Sequence, residues 1–343
     1  MVPRPRRSAL AILACSWVLL ALGCSSSASE DGSASDPEAL ATQHHIAPGL
    51  ELGRQLAASG SSADKQRASV HFGNAYWLAR FSMLSYWHDN EPGLRSTLTG
   101  WGFDGKNTRI FSNTCTGGYA MYVPANGLAL LVFRGTLTWA DWALDFKSPK
   151  VEWPGPGLVH WGFKSRFLSL WNADAGCGVP EGLGTFLASR HTPSAAGPAP
   201  ALYLTGHSLG AALATVTLGY LQATLPKVQV SALYTYGSPR VGNETFAHSI
   251  GDTARGKTAI FRVVNANDIV TGVPADIDPI EALYSDYLHV SPTGEPESIF
   301  QIWVSDRQLE VSVDVRHTKW AWGDHLTYEA PLEFQANIHN QNH

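Results

Sequence analysis

The residues around Ser208 constrain the fold of this chain more than any other segment. An apolar run, Ala201–Thr205, leads directly into Gly206-His207-Ser208-Leu209-Gly210, and an alanine-rich stretch of helical character follows. This is a G-x-S-x-G motif between a strand and a helix, the context in which the motif forms a sharp turn. Such a turn strains the serine backbone and crowds the flanking positions, so that both require glycine. The sequence therefore predicts that the Ser208 hydroxyl is lifted above the edge of a sheet.

Strand-like and helix-like segments alternate along the rest of the chain. Apolar runs bounded by turn residues predict five strands: Leu128–Phe133, Ala201–Thr205, Val230–Tyr236, Ala259–Val264 and Ile299–Val304. Helical periodicity predicts four helices: Val70–Trp87, Gly162–Trp171, Leu209–Leu225 and Glu244–Ile250. Near-continuous apolar strands alternating with helices indicate an α/β fold, with a mostly parallel central sheet flanked by helices on both faces.

The composition of the chain excludes several classes of protein. The 343 residues are 44% hydrophobic and 15% charged. This composition is too apolar for a disordered protein, and its polar and apolar residues are too evenly mixed for a membrane protein with many spans. The formal net charge is −5 and there is no basic stripe, so nucleic acid is not an expected partner. No H-E-x-x-H motif, EF-hand loop or glycine-rich phosphate loop occurs, so neither a metal nor another cofactor is expected.

The motif at Ser208 resembles the nucleophile turn of the class 3, fungal-type lipase family of α/β-hydrolases. Further blocks resemble the family in the same order along the chain: Val132–Thr136, Asp141–Trp142, Val159–Phe163, Tyr236–Gly242 and Asn267–Val270. The resemblance extends from about Val70 to Tyr328. It implies an α/β-hydrolase fold in which Ser208 is the nucleophile.

A serine hydroxyl needs an imidazole to accept its proton and a carboxylate to orient that imidazole. In α/β-hydrolases these groups follow in the order serine, acid, histidine. Asp268 comes directly after the predicted strand Ala259–Val264, and is the expected acid. His325, in a segment that resembles the C-terminal histidine segment of the family, is the expected base. His317 is the rival for this role, whereas His289 matches a family histidine that is not the base.

The negative charge that develops on the substrate carbonyl needs hydrogen-bond donors already in place. One expected donor is the backbone N–H of Leu209, the residue after the nucleophile. The second is Thr136, because it follows the strand Leu128–Phe133 at a position where the family has serine or threonine. Leu209 and Thr136 are therefore the predicted oxyanion hole.

The resemblance implies a carboxylic ester hydrolase of the triacylglycerol lipase type, acting on lipid or other esters through an acyl-enzyme. Three alternatives stay open: a non-lipid esterase of feruloyl or acetyl type, a phospholipase A1, and a non-catalytic, surface-anchored binding module on the same fold. The sequence does not indicate an oligomeric state.

Residues 138–146, directly after the oxyanion segment, have the pattern of a short amphipathic helix. Trp139, Trp142, Ala143 and Phe146 would share one apolar face. The helix could be a lid that exposes this face to lipid, or a fixed helix whose aromatic face belongs to the core.

The N-terminus is predicted to direct export. Three arginines precede an apolar run of 14 residues, Ala9–Leu22, which is too short to span a bilayer as a helix. The sequence Leu20-Ala21-Leu22-Gly23-Cys24 resembles the lipobox of bacterial lipoproteins, although Ala21 stands where that family prefers leucine. It implies that residues 1–23 are removed and that Cys24 is lipidated, anchoring the protein to the outer membrane or the cell surface. The alternative is a secreted, soluble protein cleaved after Ala28.

The remainder of the chain is predicted to hold one domain. Residues 24–65 are expected to form the lipidated, flexible tether, because its first part is rich in Ser, Asp and Glu, and residues 66–343 the catalytic domain. Two cysteines remain in this domain, Cys115 and Cys177, and in an oxidising compartment they could pair or stay as two buried thiols.

Overall fold

A computed structural model describes residues 74–125, 127–136, 148–193, 199–255, 257–265, 268–274 and 286–293, together with the backbone of 301–305 and 308–311. In these ranges the helices are α1 (residues 74–84), α2 (Glu91–Gly100), α3 (Trp161–Trp171), α4 (Leu183–His191), α5 (Leu209–Thr224) and α6 (Glu244–Ala254). Short 3-10 helices lie at Ser85–Trp87, Ala175–Cys177 and Ile269–Gly272.

The main sheet of the described chain has the strand order β1-β2-β3-β6-β7-β9-β11-β12. Its strands are β1 (Arg109–Asn113), β2 (Gly118–Ala125), β3 (Leu128–Phe133), β6 (Ala201–His207), β7 (Val230–Tyr236), β9 (Ala259–Asn265), β11 (Gln301–Ser305) and β12 (Gln308–Val311). Neighbours from β3 to β11 are parallel, and the strands outside them pair antiparallel. The predicted α/β-hydrolase architecture, with its mostly parallel sheet, is confirmed.

A second, smaller sheet is antiparallel and has the order β10-β8-β5-β4. Its strands are β4 (Lys150–Glu152), β5 (Leu158–His160), β8 (Gly242–Asn243) and β10 (Tyr287–Leu288). Because β8 comes soon after β7, this sheet is connected to the same end of the main sheet at which β7 stops.

The two faces of the main sheet are both covered, as the apolar strands predict. Along β3, Ala129, Leu131 and Phe133 pack on one face, with side chains of α3, α4, α5 and α6. Leu130 and Val132 pack on the other face, with side chains of α1 and α2. This alternation with a period of two residues is what a strand buried on both faces requires.

The central helix α5 is buried on every side for most of its length. All residues from Leu209 to Leu221 are buried, including five alanines and glycines that let the helix lie close to the strands. No helix within the described ranges is long and apolar enough to cross a membrane.

Candidate active site

Ser208 lies at the turn between β6 and α5, as the motif predicts. It has a φ of 59° and is the only residue other than glycine with a positive φ in the described ranges. Its N–H donates to the carbonyl of Tyr236 in the neighbouring strand at 2.9 Å, and its own carbonyl accepts from Ala211 at 3.0 Å. The turn is therefore held by the sheet on one side and by the first turn of the helix on the other.

The glycines on either side of Ser208 are required by packing. A Cβ built on Gly206 would overlap the backbone of Gly210 and lie 2.8 Å from the nitrogen of Ala211. A Cβ on Gly210 would overlap the carbonyl oxygen of Phe133, at the end of β3. The sequence predicts that crowding requires glycine at both positions. The structure identifies the crowding groups as backbone atoms of the first turn of α5 and of the end of β3.

The turn after β3 packs directly against the turn that holds Ser208. The two strands are paired in parallel, with Phe133 opposite Gly206. In the following residues, a Cβ on Gly135 would lie 2.7 Å from the carbonyl oxygen of His207. Thr136 is the next residue and is half-buried. The predicted oxyanion residue Thr136 therefore belongs to a turn in contact with the nucleophile turn.

Leu209, the other predicted donor, is the first residue of α5 and is buried. The first N–H groups of an α-helix have no acceptor within the helix and lie at the positive end of its dipole. The position of Leu209 therefore suits donation of its N–H to a developing oxyanion.

Asp268 follows β9 and starts the 3-10 helix Ile269–Gly272. Its side chain is fully buried and accepts a hydrogen bond from the N–H of Val270 at 2.8 Å. Its carbonyl accepts from the Thr271 hydroxyl at 2.8 Å. Since β6 and β9 are parallel and separated only by β7, Asp268 and Ser208 both leave the sheet at its carboxyl edge.

His289 contacts the turn that Asp268 begins. It is buried, and its Nε2 lies 2.8 Å from the carbonyl of Thr271 and 3.1 Å from the guanidinium of Arg262. Because a carbonyl only accepts, the short contact has Nε2–H donating to Thr271. Arg240 binds the other end of the same segment by donating to the carbonyls of Gly272 and Pro274.

Several predicted features lie outside the described residues. These are the expected base His325, its rival His317, the lipidation residue Cys24, and residues 138–146, the predicted helix. The boundary between the tether and the domain at residue 65 also lies outside them. The structure therefore brings Ser208, Leu209, Thr136 and Asp268 to one edge of the sheet, and the histidine assignment stays a prediction.

Cys115 and Cys177 form a disulfide, with their Cα atoms 5.4 Å apart. Cys115 is in the turn between β1 and β2, and Cys177 ends the 3-10 helix after α3. Of the two alternatives that the sequence left open, the structure therefore has the bonded one. No group of three or more His, Cys, Asp or Glu side chains in the described ranges is arranged to hold a metal ion.

Tyr86 is a residue of the site that no motif in the sequence indicates. Its phenolic oxygen lies 2.9 Å from Nδ1 of His207, the residue directly before the nucleophile. Tyr86 and His207 are 121 residues apart in the chain, and the helical periodicity that predicts Val70–Trp87 marks Tyr86 only as an ordinary position near the end of that segment. No local signal could have identified this contact.

A serine in a strained turn before a buried helix, at the carboxyl edge of a parallel sheet, defines the α/β-hydrolase class of proteins. A family model described as Lipase (class 3) matches residues 130–277. A secreted mono- and diacylglycerol lipase of Penicillium cyclopium is 30% identical over 262 residues, which cover 74% of this chain and 76% of the relative. The chain belongs to the class 3 lipase family, as the resemblance predicted.

Two further proteins show how far the similarity extends. A chloroplastic phospholipase A(1) of Arabidopsis thaliana is 27% identical over 207 residues, covering 57% of this chain and 41% of the phospholipase. The chain thus spans less than half the length of that relative. Lipase II of Rhizopus niveus has a TM-score of 0.54 at 21% identity, covering 78% of this chain and 96% of that lipase. At this identity the structural likeness concerns the fold alone.

Proposed function

We propose that this protein hydrolyses carboxylic esters of lipids, with Ser208 as the nucleophile. The observation that carries the proposal is the strained backbone of Ser208 at the N-terminus of α5, packed against the turn that carries Thr136. Strain of this kind is kept at functional sites, where the surrounding structure over-determines it. The strained turn therefore supports a catalytic serine over a non-catalytic binding module.

In the proposed mechanism, the Ser208 oxygen attacks the ester carbonyl while His325 accepts the hydroxyl proton. Asp268 orients the imidazole and stabilises its positive charge. The N–H of Leu209 and Thr136 donate to the oxyanion. Collapse of the tetrahedral intermediate breaks the bond to the alcohol, which takes the proton from His325. Water, deprotonated by His325, then hydrolyses the acyl-enzyme and frees Ser208.

Acylglycerols are the proposed substrates. The Penicillium relative is named a mono- and diacylglycerol lipase, and the match covers 74% of this chain and 76% of that relative. Phospholipase A1 activity is the second candidate, because the Arabidopsis relative carries that name. A non-lipid esterase with the same triad is the remaining alternative.

Export to an oxidising compartment, with a lipid anchor at Cys24, is proposed for the location. The disulfide between Cys115 and Cys177 supports export, since such bonds persist mainly outside the cytosol. Relatives named as secreted lipases support it as well. Residues 24–65 would then be the tether between the anchor and the catalytic domain at 66–343.

A p-nitrophenyl ester series from acetate to palmitate tests the proposed activity, followed by dioleoylglycerol, trioleoylglycerol and phosphatidylcholine in matched emulsions. We expect kcat/KM to rise with chain length and acylglycerols to be hydrolysed faster than the phospholipid. Preferential hydrolysis of phosphatidylcholine would favour a phospholipase A1. Activity confined to the acetate ester would favour a non-lipid esterase. Absence of hydrolysis, together with absence of fluorophosphonate labelling, would leave a binding module.

A further inference from the structure

The phenol of Tyr86 lies between the two turns that form the edge of the site. Tyr86 is the middle residue of the 3-10 helix Ser85–Trp87, which continues α1. Its Oη is 2.9 Å from Nδ1 of His207, in the turn that carries Ser208. On its other side, a Cβ built on Gly135 would overlap this same oxygen, so the phenol also touches the turn that carries Thr136.

The residues before Tyr86 are hydrogen-bonded to β6, the strand that leads to Ser208. The Ser85 hydroxyl donates to the carbonyl of Ser82 at 2.6 Å, and the Ser82 hydroxyl lies 3.2 Å from the Thr205 hydroxyl in β6. All three of these side chains are buried. The end of α1 is therefore fixed to β6 one turn before the phenol reaches His207.

The phenol of Tyr86 stays neutral. Burial raises the pKa of Tyr86 above its usual range, and the positive charge of Arg134 and the backbone of Gly135 oppose this shift without cancelling it. A neutral phenol can donate to Nδ1 of His207 or accept from it, and either arrangement links the phenol to this ring. This hydrogen bond holds one orientation of the His207 ring beside the nucleophile.

We propose that Tyr86 is a positioning residue, which sets the separation between the turn of Gly135 and Thr136 and the turn of His207, Ser208 and Leu209. The inference rests on the proposed function, since these two turns supply the two halves of the oxyanion hole. Donors in such a hole act on a charge that exists only in the transition state, so a small displacement lowers kcat rather than substrate binding.

The molecule contains a matched control for this contact. The Tyr122 hydroxyl lies 3.0 Å from Nε2 of His191, a second tyrosine–histidine hydrogen bond, in which both residues are buried. Nδ1 of His191 contacts the carbonyl of Pro200, just before β6 begins, so this pair lies toward the opposite end of that strand from Ser208. Tyr122→Phe therefore removes the same kind of hydrogen bond without touching either turn.

The test compares Tyr86→Phe and Tyr122→Phe on p-nitrophenyl butyrate below its solubility limit, with rates normalised to the sites titrated by a fluorophosphonate. This normalisation removes any unfolded fraction from the comparison. We expect kcat of Tyr86→Phe to fall about tenfold or more with KM within about twofold, and Tyr122→Phe to keep the wild-type kcat. A Tyr86→Phe enzyme with kcat within about twofold of wild type would overturn the inference.

A double-mutant cycle separates positioning from a general effect on the site. If Tyr86 acts through the turn of Thr136, Tyr86→Phe should cost less kcat in a Thr136→Ala background than in wild type. Losses that multiply in full would overturn the inference while leaving the proposed function intact. A wild-type protein that neither hydrolyses the ester nor reacts with the fluorophosphonate would instead overturn the proposed function, and this inference with it.

Discussion

Ser208 has a backbone conformation that a residue with a side chain adopts only under constraint. Its φ of 59° and ψ of −126° lie in a region that favours glycine. Such a conformation costs on the order of 1–3 kcal/mol, which the hydrogen bond to Tyr236 and the packing of α5 must offset. This strained conformation places the Ser208 hydroxyl above the sheet.

Replacement of Ser208 by glycine or alanine measures this cost. Both variants lack the hydroxyl, but only glycine relieves the strained φ, so Ser208→Gly should be more stable than Ser208→Ala by about 1 kcal/mol. Urea denaturation gives the difference directly. An alanine variant as stable as the glycine variant would show that the turn is not strained.

His191 is a second residue whose surroundings matter, because they set the pKa of its imidazole. It is buried and neutral, accepts a hydrogen bond from the Tyr122 hydroxyl on Nε2, and donates from Nδ1 to the carbonyl of Pro200. Burial lowers its pKa from the ordinary 6.5 to about 4. In this neutral form both ring nitrogens have a hydrogen-bond partner.

This histidine should make the free energy of unfolding depend on pH. Between pH 6.5 and about 4 the unfolded chain binds a proton at His191 and the folded chain does not, so stability falls as the pH falls through this window. The loss should approach roughly 3 kcal/mol. His191→Gln, measured by urea denaturation across the same window, should have a flatter profile. An unchanged slope in this variant would contradict the prediction.

At the scale of elements, the close approach of α5 to β3 depends on one missing side chain. Gly210→Ala should lower the free energy of unfolding by roughly 2 kcal/mol or more, because its Cβ would overlap the Phe133 carbonyl. Gly100, near the end of α2, has nothing within 4 Å of a built Cβ and serves as the control. Gly100→Ala should be neutral or stabilising by up to about 1 kcal/mol. Equal effects in the two variants would show that the contact with β3 is not tight.

The elements that the sequence predicted are those with a strong local pattern. The strands β3, β6, β7 and β9 are continuous apolar runs, and their predicted limits agree with the structure within two residues. The strands β1 and β2 were missed because polar residues, glycine and Pro124 interrupt their pattern. The short strands of the second sheet exist only through pairing between distant segments, which local periodicity does not contain.

The residues of the candidate site also differ in whether a local sequence pattern predicts them. Ser208 and Asp268 could be predicted because each directly follows a recognisable strand, so the topology of a parallel sheet brings them to one edge. Tyr86 could not, because its role depends on where the end of α1 meets the sheet. Contacts across long sequence separations are set by packing of whole elements rather than by any motif.

At the scale of the whole molecule, the parallel sheet collects the site from segments far apart in the chain. Thr136 follows β3, Ser208 and Leu209 follow β6, and Asp268 follows β9, all at the carboxyl edge. Ligand sites of α/β proteins lie at this edge for the same reason. We expect His325 to be brought to this edge as well.

The location of the whole molecule is predicted to depend on Cys24. Cys24→Ser should abolish metabolic labelling with palmitate and move the protein from the membrane fraction to the soluble fraction, since anchoring of this kind depends on the acyl chains. Esterase activity of the purified variant should stay at the wild-type level. Unchanged lipid labelling and membrane association in this variant would contradict lipidation at Cys24.

The central claim is that Ser208 performs the hydrolysis of esters. The most direct measurement is kcat of Ser208→Ala on p-nitrophenyl butyrate, with the folded state of the variant verified by its melting temperature. Because triad residues act as a unit, we predict a loss of at least about a thousandfold in a protein that stays folded. Retention of more than about a tenth of the wild-type kcat would contradict the account, since another residue would then be the nucleophile.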